Sequence, residues 1–268
     1  MPIVFAFTNN KGGVAKTTSC FETARILNKR GFKCLVIDVD PQHNLSDIAE
    51  AAEDGYNDIY DVLLDYHKLE TAIQHGKHFD FIATTDAIAK LDVEQIPGKE
   101  QRLRRALSQE ICQQYDFILI DTPPGLGYIA TNVLIASDEV IIPSQAEMFS
   151  IFGVQKVTDW IREIKEYSNS ALKIAGVLIT RYKAGTIVND ECRTALEAFA
   201  KKENTKVYKA YIRETTVVPA SQALHKTFEE YDKHNAVTTD YENFVNELLH
   251  DHDIKKRKTR AGTKKEDK

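Results

Sequence analysis

Ten consecutive residues carry the strongest chemical signal in this sequence: Asn9-Asn10-Lys11-Gly12-Gly13-Val14-Ala15-Lys16-Thr17-Thr18. They follow a short apolar run and lead into an amphipathic stretch. A glycine-containing turn between a strand and a helix presents backbone N–H groups to an anion, and the helix N-terminus adds its partial positive charge. A lysine there neutralises the β- and γ-phosphates of a nucleotide, and a following hydroxyl ligates Mg²⁺. Lys16 and Thr17 stand in those places. The usual G-x-x-x-x-G-K-[ST] pattern is not met, because Asn10 replaces the first glycine and Ala15 the second. The sequence reads K-G-G-x-x-K-T-T, with an additional Lys11 ahead of Lys16.

Two further apolar runs end on carboxylates: Val36-Ile37-Asp38-Val39-Asp40-Pro41-Gln42 and Phe117-Ile118-Leu119-Ile120-Asp121-Thr122-Pro123-Pro124-Gly125. Ligands of open α/β sheets collect beyond the carboxyl ends of strands. Carboxylates placed there hold Mg²⁺ directly or through water, or orient an attacking water. Asp and Pro also favour ordinary turns, so it is the coincidence with the phosphate loop that gives these residues meaning.

The elements that must position these groups are legible as alternation. Strand-like runs are expected at 3–7, 34–38, 79–83, 117–120, 140–142, 174–179 and 207–212, and they are apolar enough to be buried on both faces. Helices are expected at 17–30, stopped by Gly31, and at 99–114, 148–167 and 188–201. A last helix carries Tyr241, Phe244, Val245, Leu248 and Leu249, and the acidic segment 50–65 also reads as helical. The pattern predicts an α/β fold: a mostly parallel twisted sheet flanked by helices. One domain is expected over residues 1–250 and a disordered basic tail over 251–268.

Composition agrees with a globular protein: 268 residues, 43% hydrophobic and 28% charged. No apolar run reaches the length of a membrane span, and the first residues lack the features of a signal peptide. Four scattered cysteines (Cys20, Cys34, Cys112, Cys192) with no C-x-x-C pair point to a reduced, cytoplasmic protein without structural zinc. The net charge of −5 hides an asymmetry: the last 14 residues carry +6, which leaves −11 for the rest.

Together, K-G-G-x-x-K-T-T, D-x-D-P-Q and D-T-P-P resemble the ParA/MinD family of deviant Walker-A ATPases, the ParA branch most closely, from Ile3 to Leu249. The phrases Asp121-Thr122-Pro123-Pro124-Gly125-Leu126-Gly127, Thr131-Asn132 and Val140-Ile141-Ile142-Pro143-Ser144-Gln145-Ala146-Glu147 extend the likeness. The resemblance implies a P-loop NTPase of the deviant Walker-A type that uses ATP and Mg²⁺ and hydrolyses slowly unless a partner stimulates it. It implies that Lys11 is the signature lysine, reaching across an ATP-sandwich homodimer to the partner's nucleotide. Lys16 and Thr17 match the phosphate lysine and the Mg²⁺ ligand, and Thr18 a hydroxyl at the phosphates. Gly12 and Gly13 match loop glycines that let two subunits approach, with Val14 and Ala15 completing the loop. Asp40 matches the carboxylate that positions the hydrolytic water, Asp38 one near Mg²⁺, and Asp121 a water-mediated Mg²⁺ contact. Arg181 and Arg213 are expected at the adenine pocket. The implied function is segregation of a plasmid or similar replicon. An ATP-bound dimer binds nucleoid DNA without sequence preference, and a ParB-like centromere-binding protein triggers hydrolysis and release.

Two departures from the family stand out. Ala15 replaces the usual glycine, which carries strain of order 1 kcal/mol if that position needs positive φ. Gly185 and Thr216 stand where chromosomal ParA proteins have DNA-binding arginines. The remaining DNA candidates are Lys183, with Lys206, Lys209 and Arg213 nearby, and the tail residues Lys255, Lys256, Arg257, Lys258 and Arg260. Such a tail binds phosphates in a sequence-independent, salt-sensitive way. No operator-binding domain is expected ahead of the loop. Three rivals are weaker. A MinD-like membrane-associated ATPase needs an apolar face that the tail lacks, so no stable membrane insertion is expected. A nucleotide-switch carrier of a metal cluster needs positioned cysteines, whereas Cys112 and Cys192 read as core or near-core. A biosynthetic P-loop synthetase lacks a second small-molecule motif. The histidines show no ligand spacing, and His250-x-His252 reads as solvated.

Overall fold

The alternation of side chains along the first strand sets up two hydrophobic layers. Val4 and Ala6 face one, while Phe5 and Phe7 face the other. Leu35 and Ile37 against Cys34 and Val36, and Ile118 and Ile120 against Phe117 and Leu119, repeat the division. A computed structural model describes residues 1–52, 54–94, 96–147 and 150–254.

Eight strands form one sheet: β1 Ile3–Phe7, β2 Cys34–Asp38, β3 Ile73–His75, β4 Asp80–Ile82, β5 Phe117–Asp121, β6 Glu139–Gln145, β7 Lys173–Tyr182 and β8 Val207–Arg213. Their order is β3-β4-β2-β5-β1-β6-β7-β8, and every pairing is parallel except β3 with β4. The helices are α1 Lys16–Lys29, α2 Asn44–Ile48, α3 Ile59–Leu64, α4 Leu69–Ala72, α5 Arg102–Leu107, α6 Tyr128–Ala136, α7 Ser150–Tyr167, α8 Ile187–Lys202, α9 Val217–Ala223, α10 Phe228–Tyr231 and α11 Ala236–Asp251. Helices α3, α5, α6 and α7 cover one face, and α1 and α11 the other. The expected α/β architecture is therefore present, and all seven expected strands exist.

The structure corrects three local expectations and adds a short antiparallel strand, β3, that the sequence does not show. The segment 99–114 is not one helix but α5 flanked by 3-10 turns at Lys99–Gln101 and Glu110–Gln114. In an unbroken helix the Leu103 N–H would bond the Lys99 carbonyl. Here the Asn132 side chain takes both: its Oδ1 accepts from Leu103 N at 3.0 Å and its Nδ2 donates to Lys99 O at 2.5 Å. The acidic segment 50–65 is helical only as α3, which begins after Asp58 caps Asp61 N; positive φ at Glu50 and Gly55 breaks the chain before it. His252 is not solvated: its ring meets Phe5 edge-on at 5.5 Å and its Nε2 lies 3.5 Å from Glu139. The Glu139 carboxylate raises the affinity of His252 for a proton. The basic tail, with its candidates Lys255, Lys256, Arg257, Lys258 and Arg260, lies outside the described residues.

Candidate nucleotide-binding site

The parallel order brings the ends of β1, β2 and β5 together, with β6, β7 and β8 beside them. The 8–15 loop leaves β1 and enters α1 through a left-handed turn, Gly13 at φ 73° and Ala15 at φ 63°. Ala15 therefore occupies the strained region that its sequence position raised as a condition. Other strands hold the loop there. Asn9 Nδ2 donates to the Pro143 carbonyl at 2.7 Å, Gln145 Nε2 to the Gly13 carbonyl at 2.8 Å, and Thr180 Oγ1 to the Val14 carbonyl at 3.1 Å. The first helical bond runs from Ser19 N to the Ala15 carbonyl, which leaves the N–H groups of Lys16, Thr17 and Thr18 without partners inside the helix.

These groups border a cleft of about 1020 Å³. Its lining includes Gly12, Gly13, Ala15, Lys16, Thr17, Thr18 and Asp40 of the loop and the turn after β2, and Arg181, Arg213, Thr216, Val218 and Pro219 beyond β7 and β8. Backbone donors and cations together with apolar side chains such as Val218 and Pro219 suit a phosphorylated ligand with a flat, apolar head.

The carboxylates sit just beneath. Asp38 and Asp121 pair directly across β2 and β5. Thr17 Oγ1 donates to Asp121 Oδ2 at 2.6 Å, while Asp121 Oδ1 is buried without a partner. Burial first, then Asp38, push the Asp121 carboxyl well above the ordinary carboxylate range. Asp38 is pushed up to about 6, chiefly by burial. Its oxygens accept from Asp40 N at 3.0 Å, Ser46 N at 2.9 Å and Ser46 Oγ at 2.8 Å, so it also fixes the loop that presents Asp40. Lys16 is nearly buried; burial lowers its proton affinity, and Asp121 and Asp40 partly restore it. Three carboxylates around one ammonium leave two negative charges in excess when all are ionised. Among the described residues no three His, Cys, Asp or Glu side chains form a metal cage by themselves. An orphaned buried oxygen and this charge excess fit a divalent cation that completes its shell with phosphate and water, as Mg²⁺ does.

Other candidates are placed differently. Lys11 stands outside the cleft, half-exposed, with Nζ 2.5 Å from Glu147. The Val14 side chain is buried away from the cleft. Arg181 and Lys183 share Glu214, at 3.2 and 2.6 Å. Arg213 is clamped by both oxygens of Asp240 at 2.7 Å each. Lys206 pairs with Asp251. The body's DNA candidates Lys183, Lys206 and Arg213 thus have their charge already met by carboxylates, whereas no such pair engages Lys209 among the described residues. Cys112 is buried and Cys192 half-buried.

Sequence reasoning missed Gln145, Thr180, Ser46 and Gln222. Gln145 lies inside a phrase that resembles the family, but nothing in the sequence says which backbone group it holds.

Residues 3–174 match the model of the AAA domain family. The sporulation initiation inhibitor protein Soj of Bacillus subtilis is 34% identical over 226 residues, covering 82% of this chain and 85% of that one. The chromosome-partitioning ATPase Soj of Treponema pallidum is 29% identical over 247 residues, covering 91% and 95%. Among solved structures, cobyrinic acid a,c-diamide synthase from Mycobacterium smegmatis, with bound ADP and magnesium, is similar with a TM-score of 0.80 at 25% identity, covering 98% of this chain and 100% of that one.

Proposed function

The chain belongs to the ParA/Soj family of partitioning ATPases, and on that premise we propose that it is an ATP-driven switch that segregates a plasmid or similar replicon. Its cofactors in this reading are ATP and Mg²⁺. Bound Mg²⁺ supplies neutralisation of the phosphate charge. Lys16 and the free N–H groups of the first α1 turn hold the phosphates. Thr17 and Asp121 would hold the ion, with Asp38 beside them. Asp40 orients the water that attacks the γ-phosphate. The adenine lies toward Val218 and Pro219, with Arg181 and Arg213 at the border.

The observation that carries this reading is the division of the two loop lysines: Lys16 lines the cleft and Lys11 does not. A lysine outside its own site is available to a second copy's nucleotide once it leaves Glu147. Completion of the site then depends on an ATP-sandwich homodimer, with Gly12 and Gly13 allowing close approach. The dimer binds non-specific DNA, and a ParB-like protein stimulates hydrolysis and release. Since the body's best-placed cations are already paired, the DNA contact is assigned to the tail, Lys255, Lys256, Arg257, Lys258 and Arg260. Among the described residues no helix is long and apolar enough to cross a membrane. We place the protein in the cytoplasm, on the nucleoid when ATP is bound. The likeness to the diamide synthase supports the nucleotide cleft, but no second small-molecule motif supports a synthase.

The test is ATP-dependent dimerisation by light scattering. Lys16→Ala should prevent the dimer and Asp40→Ala should accumulate it. Dimerisation unchanged in both would refute the site. Loss of DNA co-sedimentation on ending the chain at Ile254 supports the tail; equal binding with an equal salt slope assigns DNA to the body instead.

A further inference from the structure

Helix α9 forms the wall of the cleft that faces the start of α1. From it, Gln222 Nε2 donates to Thr18 Oγ1 at 3.0 Å, across 204 residues of sequence, and both residues line the cleft. A threonine hydroxyl has one proton and two lone pairs. Inside a helix that proton commonly goes to the carbonyl four residues back. Thr23 does this, donating to the Ser19 carbonyl at 2.5 Å. For Thr18 the corresponding acceptor would be the Val14 carbonyl, but that oxygen accepts from Thr180 Oγ1 and receives no bond from Thr18. The neighbouring Thr17 gives its proton to Asp121. Among the described residues no acceptor takes the Thr18 hydroxyl proton, while Gln222 fills one of its lone pairs.

We propose that Gln222 is a positioning residue for the nucleotide: by donating to Thr18 Oγ1, it aims the Thr18 hydroxyl proton at a phosphate oxygen in the cleft. The inference rests on the reading of the cleft as a nucleoside triphosphate site. It adds that the wall carrying Val218 and Pro219 is tied to the phosphate end through one amide, so base-side and phosphate-side contacts form together.

Polarity of the bond is the distinguishing property. Gln222→Ala removes the donor and leaves the hydroxyl free to rotate; ATP affinity should fall by about fivefold. Gln222→Glu keeps the shape but accepts instead of donating. It draws the Thr18 proton away from the phosphate and adds charge, so affinity should fall by about thirtyfold or more. The readout is equilibrium titration of the full chain with a fluorescent ATP analogue and Mg²⁺, with melting of the ligand-free protein recorded beside it. In a Thr18→Ala background, Gln222→Ala should cost nothing further, because the hydroxyl it orients is gone. A structural brace would instead lower the melting temperature in both backgrounds and weaken binding equally in both. That pattern, or a Gln222→Glu variant that binds like wild type, overturns the inference. A wild-type chain that binds no ATP overturns the reading of the cleft itself, which separates the two failures.

Discussion

Replacing Asp121 with Asn should make the metal-free protein more stable and the loaded protein less so. Asp38 and Asp121 are register partners on adjacent strands, and strands lie about 4.8 Å apart. Burial first, and then Asp38, disfavour the charged form of Asp121; at an effective dielectric near 20 two unit charges about 5 Å apart repel by about 3 kcal/mol, an upper bound because proton uptake relieves it. Lys16 attracts Asp121 and Asp40 repels it, so the two effects oppose each other. Asn keeps an oxygen to accept from Thr17, but its amide donors enter a buried space where Asp121 Oδ1 already lacks a partner, which costs about 1–3 kcal/mol. The net expectation is a gain of up to about 2 kcal/mol, or up to about 6 °C in Tm for a chain of this size. The loaded state reverses the order. Mg²⁺ and ATP at a hundred times the Kd stabilise wild type by about 2.7 kcal/mol, a gain the variant should largely lose. Thermal melts in EDTA and in saturating Mg²⁺-ATP measure both halves, and the two curves should cross. An Asp121→Asn protein that melts below wild type in EDTA, or that gains as much from Mg²⁺-ATP, would refute the charge argument.

Ala15→Val places a β-branched side chain at φ 63° and should destabilise by about 2 kcal/mol in urea unfolding, whereas Ala15→Gly should stay within about 1 kcal/mol because relief of strain offsets added unfolded-state entropy. A neutral Ala15→Val would mean that residue 15 is not left-handed. Gly176→Ala builds a Cβ 2.7 Å from Cε2 of the fully buried Tyr208, whose ring is backed edge-on by Phe244 at 4.8 Å; a loss of about 1–3 kcal/mol is expected, and an unchanged urea midpoint would show that the ring can yield. Glu230 is held at about 2 by its hydrogen bonds, first from Lys77 and then from Thr227 N. Its pKa is depressed, so its contribution is present above the ordinary value of 4.5 and is lost as pH falls toward 2. With the side chain 39% exposed, solvent screening limits it to about 0.5–1 kcal/mol. Glu230→Gln should therefore flatten the acid limb of a stability–pH profile, and parallel limbs for the two proteins would contradict this.

Much of the candidate site was legible because each of its parts is a short motif contiguous in the chain. Lys16 and Thr17 stand in the loop that strand, glycines and helix define, and Asp38, Asp40 and Asp121 end apolar runs. The interior strands read correctly because burial on both faces makes them apolar throughout. Legibility stopped where a contact joins distant residues. The 99–114 segment has good helical spacing at Leu103, Leu107 and Ile111, yet Asn132 of another helix captures its backbone and breaks it. His252 looks like a solvated surface residue until α11 lays it on Phe5 and Glu139.

The sequence by itself determined the α/β class, the phosphate loop, the carboxylates at the strand ends and the family they resemble. Each is written in local pattern, where neighbours in the chain are neighbours in space. Only the tertiary structure decided how the loop is held and aimed. Strand order β5-β1-β6-β7 puts Gln145 on Gly13 and Thr180 on Val14, and the return of the chain through α9 puts Gln222 on Thr18. A hydrogen bond needs about 3 Å and a chosen direction, and no spacing within the chain specifies either across so many residues.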